Sequence, residues 1–346
     1  MFASLVENRN SRSIMSFVPA ISVILPTFNR AHVLPRAIDS VLQQSEANFE
    51  LIVVDDGSAD ETPRVLASIE DTRIRVVRSE INRGGNWARN RGLELSRANF
   101  VSFLDSDDVY LPEKLSAILS MFFENPDVDV WLDSYISRDD RGTGKPDKLK
   151  SNPNRCFGAD FRSGIFERTI TKATTAISIR REAIFEIGLF DESLRRRQDF
   201  DLILRLSKEH VCMTTDRVLW VKYESLDGIS GDIRTFLNAL IAICNRHPDY
   251  IRNHPAALYR DLRRHFSKLL RRREWKILAV DLRRYLAYSP FEVPFLRLML
   301  DPKVVKLAST GIDRRGQHDR DQLSRNESGT PSRIAEVACA EAKQKA

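Results

Sequence analysis

Four short apolar runs, Ile21–Leu25, Leu51–Val54, Ile74–Val77 and Phe100–Leu104, alternate with stretches of helical periodicity. The stretches between them carry Val33, Ala37, Ile38, Val41 and Leu42, then Val65, Leu66 and Ile69, then Trp87 through Leu95. Strand and helix alternating at this pace predict parallel βαβ units, hence an α/β sheet covered by helices on both faces. In such sheets ligands bind beyond the carboxyl ends of the strands. Each run ends in residues suited to that place: Pro26–Arg30, Asp55–Ser58, Ser79–Gly85 and Asp105–Asp108. The last is the most pointed, with three carboxylates in four residues. Like charges so close repel, and a hard divalent cation such as Mg²⁺ or Mn²⁺ relieves them, as does capping of a following helix.

Composition narrows the function classes. The 346 residues are 42% hydrophobic and 29% charged, which suits a globular protein. Cys156, Cys212, Cys244 and Cys339 are scattered, without metal-ligand or oxidoreductase spacing, as in a reducing compartment. Met1–Phe17 lack an apolar signal core, and no apolar run reaches the ~18 residues that span a bilayer. A cytoplasmic protein is expected. A net charge of +6 invites comparison with nucleic-acid binders, but no nucleic-acid module is legible, so no nucleic-acid partner is expected.

The organisation expected is an N-terminal arm over 1–19, a catalytic domain over 20–231, a basic helical region over 232–308 and a disordered polar tail over 309–346. Residues 139–161, rich in Gly, Pro, Asn, Lys and Arg, read as a mobile surface loop. Arg260, Arg263, Arg264, Lys268, Arg271–Arg273, Lys276, Arg283 and Arg284 alternate with Leu262, Phe266, Leu269, Leu270, Ile277 and Leu278. Such a stripe is either helices with a wet basic face or a peripheral attachment to the anionic inner face of a membrane, to which Phe291–Leu300 would add apolar contact.

Taken together, Val23-Ile-Leu-Pro-Thr-Phe-Asn-Arg30, Val53-Val-Asp-Asp-Gly-Ser58, Asn82-Arg-Gly-Gly85 with Ala88-Arg-Asn-Arg-Gly92, and Phe103-Leu-Asp-Ser-Asp-Asp108 resemble family-2 glycosyltransferases of GT-A fold. Gly188-Leu-Phe-Asp-Glu192 ahead of Gln198-Asp-Phe-Asp-Leu202 extends the resemblance, which covers about Ala20–Ser230. It implies an inverting transfer from a nucleotide-sugar donor, UDP-linked in expectation, with Mn²⁺ or Mg²⁺ as cofactor. The acceptor it implies is a glycan or a lipid-linked sugar, in polysaccharide or glycolipid assembly.

Carried over residue by residue, the resemblance puts Thr27, Phe28 and Asn29 around the base and ribose and has Asp56 accept from the base. It sets Arg89 near the donor, Asp105 on the ribose or the metal's water shell, Asp107 on the metal, and Asp199 as general base. Gln198 stands where relatives carry an acidic residue. Many relatives also carry a His before a Gly-Ser-x-Ser segment; Val221–Ser230 has none. Glu224 or Asp227 as substitutes, or phosphate contact through Ser230 and Lys222, are the alternatives there. Arg195–Arg197 suit either a solvated run or an anionic acceptor.

Two other classes were weighed. A sugar-nucleotide pyrophosphorylase needs a Gly-rich basic loop after the first strand, which Pro26–Arg30 is not. A degenerate, non-catalytic binder would not need Asp56, Asp107 and Asp199 together.

Overall fold

The structure, a computed structural model, describes residues 18–224 and 233–288. The N-terminal alternation is β1 (Ile21–Thr27), α1 (Leu34–Leu42), β2 (Phe49–Asp55), α2 (Thr62–Ala67), β3 (Ile74–Arg78), α3 (Gly85–Leu95) and β4 (Phe100–Phe103). Next come β5 (Val109–Tyr110), α4 (Lys114–Glu124), β6 (Val130–Asp139), β7 (Lys148–Lys150) and α5 (Gly158–Glu167). A single tight turn, Thr174–Ala176, leads into β8 (Ile177–Arg180), α6 (Arg181–Glu186), α7 (Gln198–Glu209) and β9 (Cys212–Glu224). Four helices follow: α8 (Phe236–Arg246), α9 (Pro248–Asn253), α10 (Pro255–Arg271) and α11 (Trp275–Ala287).

The strands form one nine-stranded sheet in the order β3-β2-β1-β4-β8-β6-β9-β5, with β7 added to β6. β1, β2, β3 and β4 are mutually parallel, and the register Thr27↔Asp55↔Arg78 aligns their carboxyl ends. Every residue of β1 and β2 is buried, as a parallel strand covered on both faces requires, so these strands read as unbroken apolar runs. On the other side of β4 the sheet is mixed: β8 is antiparallel to β4 and β6, while β9 runs parallel to β6 and antiparallel to β5. This is the α/β, GT-A-type architecture expected, with helices at the C-terminal end.

The stretch 139–161 is more ordered than a surface loop. β7 pairs antiparallel with Tyr135–Ser137 of β6, and α5 begins at Gly158. Its sequence, Lys-Leu-Lys, hides the strand because it is an edge whose side chains all face water, and edge lysines discourage further pairing.

The chain divides into two compact units between Arg260 and Asp261, inside α10, rather than at 231/232. In the first unit, α9 buries Tyr250 completely and stacks it on Phe166 of α5 at 4.8 Å, with Phe200 of α7 edge-on at 5.7 Å. Those aromatic contacts tie α9 to α5 and α7. In the second unit, His265 and Asp281 meet at 2.7 Å in a buried contact, and Phe266 meets Tyr285 edge-on. No helix among the described residues is long and apolar enough to cross a membrane. The N-terminal arm before Val18, Asp227, Ser230, Phe291–Leu300 and the tail beyond 309 lie outside the described residues.

One close approach fixes how α3 lies on the sheet. A Cβ at Gly92 would stand 2.4 Å from Ile24 Cγ2 of β1, a contact only glycine allows. Gly92→Ala is therefore expected to destabilise the protein by ~1–3 kcal/mol through overpacking, read as a lower midpoint in urea unfolding.

Candidate active site

The loops after β1 and β2 are laced together. Asn29, at φ 52°, donates its backbone N–H to Ser58 Oγ at 2.8 Å, and its Oδ1 accepts from Ala59 N at 2.8 Å. Asp55 is fully buried and accepts from Ser58 N at 3.0 Å. Asp56 accepts from Arg83 N at 2.9 Å and Gly84 N at 2.7 Å, so its two oxygens anchor the loop after β3. Gly57, at φ 79°, brings that loop within 2.7 Å of where a Cβ would be. Asn29 and Asp56 thus tie the loops after β1, β2 and β3 to one another. Beside them Phe28 is 40% exposed, and the buried Thr27 Oγ1 has no hydrogen-bond partner among the described residues.

Beyond β4 the acidic loop is gripped from below. Thr175 Oγ1 donates to Asp108 Oδ2 at 2.7 Å and accepts from Asp105 N at 3.2 Å. The carbonyl of Thr175 in turn accepts from Lys114 Nζ at 3.1 Å. Lys114 and Asp133 form a fully buried pair at 2.5 Å, and Trp220 Nε1 donates to the other oxygen of Asp133 at 2.8 Å. Burial pushes Lys114 down and Asp133 up to about 6, each opposed by its partner's charge. This network was not legible in the sequence, because its members lie far apart along the chain.

From the side, α3 braces the same loop. Arg89, only 8% exposed at its side chain, holds Asp105 at 2.6 Å. It thereby braces the acidic loop, while its Nε has no hydrogen-bond partner among the described residues. Asn90 Nδ2 donates to Phe190 O at 3.0 Å while its Oδ1 accepts from Phe190 N at 3.0 Å. Asn86 Nδ2 donates to Asp191 O and Leu194 O at 2.8 and 2.7 Å. The motif Ala88–Gly92 and the segment Gly188–Glu192, ninety-odd residues apart, are thus two halves of one clamp, and α7 starts directly after it.

The two carboxylates of α7 are in different settings. Asp201 is buried, bonded by Arg205 at 2.9 Å and by Arg246, with His247 at 3.6 Å. Those hydrogen bonds and charges outweigh burial and hold it down at about 2. Among the described residues Asp199, half-buried in the first turn, accepts only its neighbour's backbone N–H, from Phe200 at 2.8 Å. Tyr135 of β6 stacks on Trp220 of β9 at 4.3 Å. Burial raises the phenol's pKa; Lys222 opposes this, and the carboxylates of Asp108, Asp199 and Glu224 add to it. Arg196 and Arg197 lie over the Phe236 ring at 5.4 and 4.6 Å, which accounts for part of the basic run before α7.

The donor set fits a magnesium- or manganese-type ion held sparsely. Among the described residues no group of three or more His, Cys, Asp or Glu is arranged as a cage. Mg²⁺ is commonly held by one or two carboxylates together with substrate phosphates, and hard oxygen donors are what the loop offers. Asp107 accepts only from its own backbone, and Asp105 keeps one oxygen clear of Arg89. Burial, then Asp105, raise Asp107, against Lys222 and Arg30. Asp108 is pushed up to about 8 by burial and by Asp105 and Asp107, against Lys222 and Thr175. A free aspartate ionises near 4, so between there and pH 8 the unfolded chain has shed a proton that native Asp108 keeps. Stability must then fall as pH rises through that window. Thermal scans in EDTA are expected to show a midpoint falling from pH 6 to 8, above the titration of Asp133. Asp108→Asn should flatten that fall.

The profile of Glycosyl transferase family 2 matches residues 22–188. An uncharacterized glycosyltransferase of Rickettsia prowazekii is 30% identical over 278 residues, covering 70% of this chain and 85% of that protein. The UDP-Glc:alpha-D-GlcNAc-diphosphoundecaprenol beta-1,3-glucosyltransferase WfgD of Escherichia coli is 39% identical over 105 residues, 30% of this chain and 42% of its own. An uncharacterized glycosyltransferase of Haemophilus influenzae is 28% identical over 194 residues, and this chain spans 62% of its length. Among solved structures, S. aureus TarS 1–349 in complex with UDP-GlcNAc shares the fold at a TM-score of 0.56. The likeness is at 20% identity, over 84% of this chain and 79% of that one. With the parallel half-sheet, the clamp between α3 and the α7 approach, and the gripped acidic loop, these matches make the chain a member of glycosyltransferase family 2.

Proposed function

We propose that this chain transfers a sugar from a UDP-linked donor to an acceptor hydroxyl, with inversion, in polysaccharide or glycolipid assembly. The observation that carries the reading is the acidic loop at the carboxyl end of β4, where Arg89 holds Asp105 and Thr175 holds Asp108 while Asp107 has no side-chain donor among the described residues. Phe28 would stack on the base, with Thr27 Oγ1 and a spare lone pair of Asp56 as its polar partners. The UDP donor and the diphospholipid-linked acceptor draw support from WfgD, whose reaction joins those two classes.

In this reading Asp107, with the clear oxygen of Asp105, holds the divalent ion against the donor's diphosphate. When bound, the ion supplies Lewis-acid stabilisation of charge on the departing diphosphate. Asp199 accepts the proton of the acceptor hydroxyl as that oxygen bonds to the anomeric carbon from the face opposite the diphosphate. The carbon–oxygen bond to the diphosphate breaks, and its electron pair leaves with the nucleotide. Arg89 orients Asp105, and Asn86 and Asn90 set the start of α7, so the distance between base and acidic loop is fixed by α3.

The test is release of nucleoside diphosphate from UDP-, GDP- and dTDP-sugars, with a GlcNAc-diphospholipid acceptor, in Mn²⁺ or EDTA. Wild type is expected to release UDP in Mn²⁺ and far less in EDTA. Loss of a positioned base costs ~10²–10⁴-fold in rate, so Asp199→Asn should fall by that factor while its UDP affinity, read by calorimetry, stays within about twofold of wild type. Donor binding without release under every condition would make the chain a binder instead.

A further inference from the structure

Lys222 sits where β9 passes the acidic loop, and its strand neighbours pin it there. Val221 pairs with Val109 of β5, and Tyr223 N–H points at Asp108 Oδ1 at 3.4 Å. Side chains alternate along a strand, so Lys222 projects to the face opposite Val221, which is buried, and Tyr223, whose ring lies under Arg36 at 3.6 Å. The half-buried ammonium thus lies on the strand whose next amide reaches Asp108, and the acidic loop favours its charged form against burial. Arg89 is committed to Asp105; Lys222, among the described residues, donates no hydrogen bond. Three N–H donors on a compact cation are thus held beside the carboxylates and are not used up by them.

We propose that Lys222 is a cation of the protein's own for the donor's diphosphate, a substrate-binding residue that acts whether or not a divalent ion is present. The proposal rests on the reading of this cleft as a nucleotide-sugar site. A diphosphate entering between Asp107 and β9 brings negative charge to a loop that already repels itself, and a divalent ion alone leaves that sum negative. An ammonium on the facing strand, with donors to spare, supplies the missing charge and up to three charge-assisted hydrogen bonds. It also gives the strand a reason to carry Lys222 rather than a further metal ligand: the cleft then has some hold on the diphosphate before metal arrives.

Calorimetry with UDP and with uridine, on the full chain, in EDTA and in Mn²⁺, tests this. A charge-assisted hydrogen bond is worth roughly tenfold or more in affinity, so Lys222→Met should weaken UDP binding in EDTA by at least that factor. Uridine, which lacks the diphosphate, should bind wild type and variant alike, and Lys222→Arg should keep most of the UDP affinity. Asp107→Asn should lose the gain from Mn²⁺ without weakening UDP binding in EDTA. With no nucleotide, Mn²⁺ followed by electron paramagnetic resonance should bind Lys222→Met at least as tightly as wild type, because a competing charge is gone. A merely structural lysine would not move the two ligands in opposite directions. Equal UDP affinity of wild type and Lys222→Met in EDTA overturns the proposal, as does wild-type UDP binding that requires Mn²⁺ strictly. Wild type that binds no UDP even with Mn²⁺ overturns the donor reading itself, and this proposal with it.

Discussion

Three aspartates within four residues are a standing electrostatic problem, and much of the molecule around them is its solution. Asp105 is answered by Arg89 from α3, Asp108 by the hydroxyl of Thr175 and the amide of Tyr223, and all three by the field of Lys222. Asp107 alone is left without a side-chain hydrogen-bond donor among the described residues. The compensation is graded, strongest at Asp105 and Asp108, which side chains hold, and weakest at Asp107 between them. A loop fully neutralised from within would have nothing left for a ligand, and one left bare would not hold its shape.

The support beneath the loop follows the same logic one layer deeper. Lys114 and Asp133 are buried charges whose pairing is costly to remove from either side, since breaking such a pair strands the survivor. Their geometry is completed by Trp220 and by the carbonyl of Thr175, so the hydroxyl that holds Asp108 is itself held. Tyr110, the last residue of β5, donates its hydroxyl to Phe103 O at 2.6 Å and closes the loop on itself. A fully satisfied network of this kind rigidifies, which is what a site needing fixed distances asks of its floor.

The half-sheet of β1 to β4 was legible because parallel strands buried on both faces must be apolar throughout, and Ile21–Leu25 and Leu51–Val54 are. The right-hand half was not. β9 spans Cys212–Glu224 with Thr214, Thr215, Asp216, Arg217 and Lys222 among its residues, and its pairing with β6 shifts register at Leu132, Ser134 and Tyr135. A strand with irregular pairing and a polar face that lines a cleft has no clean alternation to read. The same holds at the level of single residues. The acidic loop announces itself by composition, but Tyr135 and Thr175 become meaningful only through neighbours far along the chain. Arg89 likewise shows its pairing with Asp105 only in the fold, because an arginine's partner is set by which carboxylate the helix brings beside it.

The two-residue strand β5 has a consequence for the order in which the chain becomes competent. Its partner is β9, and that ladder brings in both Lys222 and the amide of Tyr223 from more than a hundred residues downstream of the carboxylates. The parallel pairs of β1 to β4 close over shorter spans, so that half of the sheet can assemble while the remainder is still being synthesised. Until β9 emerges and docks, a nascent chain carries an acidic loop lacking part of its counter-charge. The left half of the sheet can thus be an early structural intermediate, but the cleft itself is a product of the last strand to arrive.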